Sequence, residues 1–161
     1  MEIDRRITNI WTITVNESEV FNRLIDEGIQ EGQRRGAANA PAIVASDDDR
    51  AILHRYYHSA LAELSALLAR RTTRVGGSIS NTTDETTKMI TTVYSLAMTD
   101  NHESELLPAL ASHCLEFLVA RLLEHWYGHG SDFGSALERE QIRHILHYRR
   151  NPIERPFSSI L

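Results

Sequence analysis

Two pairs of histidines sit at helical spacing in this chain, His54 with His58 one turn apart and His144 with His147 three residues apart. Each pair sets two imidazoles on one helix face, the arrangement from which a helical bundle can build a metal site. The complement is missing, because a carboxylate-bridged bundle supplies Glu-x-x-His pairs from two helices and no such pairs occur here. The run from His54 to His58 also lacks the glutamate that a HEXXH zinc protease places beside its first histidine. Cys114 and His113 are adjacent, and adjacent helical residues point about 100 degrees apart, so they do not form a nucleophile and base. GxSxG elbows, Walker loops and dinucleotide fingerprints are absent from the sequence. The histidines therefore read as surface or hydrogen-bonded groups, with no catalytic residue, cofactor or metal ligand assigned. A metal-dependent bundle enzyme built on His54, His58, His144 and His147 is the alternative.

The elements that would position these residues are mostly helical. Asn16 and Glu19 resemble a capping box, and Val20, Leu24, Ile25 and Ile29 follow at helical spacing, which predicts a helix to about Arg35. Residues 36–45 have small side chains, a proline and no period, and read as a linker. Ser46-Asp47-Asp48-Asp49 then supplies a cap and negative charge for a helix near 48–71, whose wide apolar face is Ile52, Leu53, Tyr56, Tyr57, Ala60, Leu61, Leu64, Leu67 and Leu68. Residues 104–127 are apolar almost all round, so that helix must be covered on several sides, by the domain core or by a neighbouring subunit. A last helix spans about 135–149, and NPIERPFSSIL with its two prolines forms an extended tail.

Two segments read as strands. Trp11, Ile13 and Val15 alternate with Ile10, Thr12 and Thr14, and in residues 85–98 Ile90, Thr92, Tyr94, Leu96 and Met98 share one face if extended. The second joins the Thr-rich stretch 72–80 in a hairpin across the polar turn material of residues 81–85, although a helix over 85–98 is the competing reading. The fold class is mainly α, a bundle of about four helices with a small hairpin and short strands, which shades into α+β. Residues 1–150 form one domain and 151–161 the tail.

The whole-chain numbers agree with one ordinary domain. The 161 residues are 42% hydrophobic and 24% charged, and a single cysteine leaves no disulfide framework. Cys114 falls in an apolar run and reads as a small buried hydrophobe. No signal peptide is evident and no segment approaches a membrane span, which points to the cytoplasm of the producing cell. A net charge of −5 argues against a protein that grips nucleic acid. The basic clusters Arg34-Arg35, Arg70-Arg71-Arg74 and Arg149-Arg150 fall near helix ends, where the helix dipole favours them. Tyr56, Tyr57, Trp126 and Tyr127 serve as core residues or as interface anchors.

SDDDRAILHRYYHSALAELSALLARR resembles the early helix of the head-tail connector (neck adaptor) proteins of tailed phages, and LLPALASHCLEFLVARLLEHWYG with QIRHILHYRRNP resembles their closing pattern. The matching positions are Asp48, Asp49, Ala60 and Leu64 at the opening and Leu146, Tyr148 and Arg149 at the end, over about two-thirds of the chain. The N-terminal strand-helix unit and the Thr-rich hairpin depart from the simplest members. The resemblance implies a structural virion protein, one subunit of a homo-oligomeric ring of about twelve copies in the neck. Its partners would be the portal protein and a tail or stopper protein, with DNA passing through unread and no membrane involved. Segments that order on docking would make assembly sequential, and Pro152, Ile153, Pro156, Phe157, Ile160 and Leu161 are the candidate partner-binding residues. A small cytoplasmic scaffolding or regulatory protein is the further alternative.

Overall fold

The computed structural model describes residues 7–35, 47–99, 102–128 and 132–148. The elements are β1 (Ile7–Asn16), α1 (Glu17–Arg35), α2 (Asp47–Thr72), β2 (Ser78–Thr83), β3 (Ile90–Thr99), a 3-10 turn (Ser104–Leu106), α3 (Leu107–Tyr127) and α4 (Ser135–His147). Four helices and a small antiparallel sheet make the mainly helical, α+β architecture that the periodicities predict. The 36–45 linker and the 151–161 tail lie outside the described residues.

The sheet has the order β1-β3-β2, so the N-terminal strand pairs with the second strand of the hairpin and not with the first. Ile13 stands opposite Tyr94 and Trp11 opposite Leu96, which brings both alternating apolar sets to one face. On that face Trp11, Ile13, Val15, Thr92, Tyr94, Leu96 and Met98 are buried, whereas Ile10 on the other side is 50% exposed. A slip of one residue would exchange the two faces, so burial fixes the register. The hairpin closes through Asp84, whose Oδ1 accepts the N–H groups of Thr86 and Thr87 at 2.8 and 2.9 Å. Those bonds hold the Asp84 carboxyl below the usual carboxylate range. Asn16 Oδ1 accepts a bond from the Thr91 hydroxyl at 2.9 Å, so the residue read from sequence as a cap uses this oxygen to tie the end of β1 to β3.

The helices pack with the apolar face of Trp11, Ile13, Tyr94 and Leu96 in one core, and α3 lies at its centre. It packs on α1, α2, α4 and β1, and every one of its residues except Pro108 and Ser112 is at least partly buried. Residues Ser104–Tyr127 do reach the length and apolarity of a membrane span, contrary to the sequence expectation. The apolar circumference has a simpler cause, which is enclosure by this chain's own elements.

The terminal helix α4 is held at both ends by residues of other elements. Its N-cap position is Gly134, which offers no side chain, and the carboxylate of Glu124 on α3 takes that part. Glu124 Oε1 accepts the N–H groups of Phe133 and Ser135 at 3.2 and 3.3 Å, and Oε2 accepts the Ser135 hydroxyl. A carboxylate at this end also meets the positive pole of the helix dipole. Glu124→Ala should therefore cost about 1–2 kcal/mol, as the loss of a helix cap does, measured by urea unfolding. A loss below a few tenths would show that water caps α4 equally well.

At the other end of α4 the Leu146 carbonyl, left without an intrahelical partner, accepts a bond from Arg71 Nη2 at 2.9 Å. His102 Nε2 lies 3.0 Å from the same oxygen, and its Nδ1 lies 2.8 Å from the Thr99 hydroxyl. The tautomer that satisfies both contacts donates from Nε2 to the carbonyl and accepts at Nδ1. The 3.4 Å approach of Arg71 Nη2 to His102 Nε2 is then a contact between two donors sharing one acceptor. Arg71 does stand in the last turn of α2, but it is 2% exposed and its bond goes to the end of α4.

Candidate functional site

The histidine pairs do not converge. His54 Nδ1 lies 2.5 Å from Oε2 of Glu17, a carboxylate with no solvent exposure, and Glu17 Oε1 accepts the N–H of Ile90 at 2.9 Å. His58 Nε2 lies 3.0 Å from His54 Nε2, with the rings perpendicular. One of the two Nε2 atoms must donate and the other accept, so a line of hydrogen bonds joins His58, His54 and Glu17. The other pair belongs to the last turn of α4, tied to Arg71 near the far end of α2. At 1.5 Å per residue, Arg71 is about 20 Å along α2 from His58. Among the described residues, no group of three or more His, Cys, Asp or Glu is placed to hold a metal ion.

Cys114 has no exposure, and desolvation pushes its thiol up to about 12. Its neighbour His113 turns to α4 and meets Glu138 at 2.5 Å. A buried thiol that resists ionisation is a poor nucleophile. Native protein at pH 8 should be alkylated by iodoacetamide at least about a hundredfold more slowly than protein in denaturant. Equal rates would place Cys114 in a solvent-accessible site.

The aromatic residues also face inward. Tyr57 is fully buried and meets Phe21 edge to face, with centroids 6.3 Å apart. Tyr56 stacks on His125 at 5.2 Å, and the Tyr127 hydroxyl donates to the Gly28 carbonyl at 3.1 Å. Trp126 packs partly buried against the core. These contacts join helices of one chain.

What remains open is the sheet. Every residue of β2 is exposed, and among the described residues β2 is hydrogen-bonded on one side only, by β3. The strand, SISNTT, carries no charge and no proline, and its register with β3 is continuous from Ser78 to Thr83. Proteins that stay monomeric protect such an edge with charge, proline, a bulge or a covering element. The outer face bears small side chains, Thr12 and Thr14 of β1 beside Ser95 and Val93 of β3, with Ser78 and Ser80 of β2 completing the rows.

The α2–β2 turn keeps that face low. Gly76 has φ +91°, and a Cβ there would stand 2.9 Å from Ile10 Cδ1. Gly77 carries the turn back beneath α2, where a Cβ would come within 2.3 Å of the Arg71 carbonyl oxygen. The edge beyond these glycines has no mark in the sequence, because exposed Thr and Ser look the same in a loop and in a bare strand.

Three of the seven positions that carry the connector resemblance are core residues here. Ala60, Leu64 and Leu146 are buried, and Tyr148 is 37% exposed. Arg149 and the candidate partner-binding residues Pro152, Ile153, Pro156, Phe157, Ile160 and Leu161 lie outside the described residues. No family model, curated protein or solved structure matches the chain.

Proposed function

We propose that this chain is a structural subunit that joins copies of itself edge to edge into a ring, of the kind formed by the head-tail connectors it resembles. The observation that carries this reading is β2, a six-residue edge strand with no charge, proline or bulge and no exposed residue spared. The apolar helix α3 lends no support, since its own chain covers it. The sheet is therefore where a neighbour gains most.

Its two edges suit head-to-tail growth. β1 and β2 are each antiparallel to β3, so they run parallel to each other. The β2 edge of one copy can then meet the β1 edge of the next and extend the sheet without reversing it. That contact is heterologous, and it closes into a ring when the rotation per subunit divides a full turn. The role is mechanical: the ring joins a portal to a tail or stopper protein and surrounds the DNA path. A net charge of −5 keeps such a channel from holding the phosphate backbone.

The test is the absolute mass of the purified protein across a concentration series, alone and with a portal protein. A large closed oligomer, formed alone or on the portal, supports the ring. A dimer of fixed mass that ignores the portal indicates β2 pairing with β2 about a two-fold axis, and replaces the ring with a small scaffolding protein. A monomer under every condition overturns self-assembly.

A further inference from the structure

A cavity of about 410 Å³ opens where the start of α1, the first turns of α2 and the β2–β3 turn meet. Its volume is in the range of small-ligand sites. Glu17 and Phe21 form one wall, Arg50, Ala51 and His54 a second, and Thr86 to Met89 the third. A smaller hollow of about 70 Å³ adjoins it, sharing Phe21, Arg50 and Met89 and continuing to Ile25 and Leu53. The two together have a polar mouth and an apolar end.

Two cations line the mouth, with the Asp84 carboxylate of the same turn near enough to Lys88 to feel its charge. Arg50 and Lys88 are exposed, and neither has an ion-pair partner among the described residues. The one carboxylate in the wall, Glu17, is already engaged at both oxygens, by His54 and by the Ile90 N–H. It is turned inward with no exposure, which leaves the two cations to face the cavity.

Lys88 adds an independent observation. It is the one non-glycine residue among those described with positive φ, at 62°, in the left-handed region that glycine or asparagine adopts at less cost. The turn holds it there through Lys88 N–H to the Asp84 carbonyl at 2.8 Å and Asp84 N–H to the Met89 carbonyl at 2.9 Å. A lysine kept in a strained backbone position, at the rim of a cavity and without an ion pair, is a strain outlier of the sort that accompanies function.

We propose that this cavity binds an oxyanion carried on an apolar body, a phosphate monoester or a carboxylate, with Arg50 and Lys88 on the charged group and Phe21, Met89 and Leu53 around the apolar part. Arg50 offers a planar fork of donors and Lys88 a point charge, and both are matched by either oxyanion. The Glu17–His54–His58 line braces the wall, fixing the first turns of α2 against the start of β3.

The experiment titrates the full chain with phenyl phosphate, benzoate, inorganic phosphate and neutral benzyl alcohol, following the Met89 amide and the His54 ring nitrogens by NMR. Phenyl phosphate or benzoate should shift these signals in a saturable way, and which of the two binds tighter names the headgroup. Inorganic phosphate should bind more weakly than phenyl phosphate, and benzyl alcohol should not bind at the same concentration. Arg50→Gln and Lys88→Gly should each weaken binding about tenfold. Lys88→Gly should at the same time raise the melting temperature, by relieving the backbone, so that lost binding cannot be ascribed to unfolding. Binding of benzyl alcohol as tight as that of the acids, unchanged affinity in both variants, or no saturable shift at millimolar probe would each overturn the site.

Discussion

Arg71→Ala should lower the unfolding free energy by about 4 kcal/mol, which for a domain of this size moves Tm down by about 8–16 °C. Two losses combine. The buried stem leaves a void comparable to that of a large aliphatic residue cut to alanine, and the Leu146 carbonyl keeps only His102 as a donor. Arg71→Met separates them, since it fills the space and restores about half of the loss. Urea unfolding of the two variants decides the matter. A loss below about 1 kcal/mol in the alanine variant would mean that the C-terminal end of α4 is not held by this side chain. Full recovery by methionine would mean that the buried charge contributes nothing net, as replacements of buried ion pairs by apolar residues have sometimes found.

The sequence carried a clue to Arg71 that was masked by its neighbours. Tyr57, Leu61, Leu64 and Leu68 step along the buried face of α2, and position 71 is the next place in that rhythm. Arg70 and Arg74 made it look like one member of an exposed cluster at a helix end. Periodicity along single elements was legible: the alternation in β1 and β3 identified most of their buried residues, missing Ala97 and Thr99, and the uniformly apolar stretch identified α3. Pairing between distant elements was not. Glu17 and His54 are 37 residues apart, and nothing local in either segment announces that they meet. The same holds for the seating of β1 beside β3, because a half-buried strand shows which side is apolar without showing which strand lies next to it. The candidate interaction edge was the least visible part, since an open strand of Ser, Thr and Asn has no hydrophobic signature at all.

The second large effect concerns that edge. Ser78→Lys with Ser80→Lys should weaken self-association about tenfold, close to 1.4 kcal/mol per contact, because a strand joining β2 must then lay its own rows of side chains against two long, partly desolvated charges. Both positions are exposed and their ladder to β3 uses backbone groups, so the subunit fold and its Tm should stay within a degree or two of the parent, by about the margin of ordinary surface changes. Thr12→Lys on β1 distinguishes the geometries. A head-to-tail ring loses association with either variant, whereas a two-fold dimer through β2 loses it only with the first. Association unchanged by all three lysines would remove the sheet edges from the assembly.

The same sheet sets a constraint on how the chain reaches its native state. Asn16 and Thr91, which bond at the end of the β1–β3 ladder, are 75 residues apart in sequence. β1 leaves the ribosome first and has no strand to pair with until β3 has been made, while the helical segment α2 between them forms from local contacts. Closing that long loop carries an entropic cost before the ladder repays it. Refolding should therefore show helix content appearing ahead of the burial of Trp11, and the exposed interval of β1 is when a newly made chain is most open to pairing with the wrong neighbour.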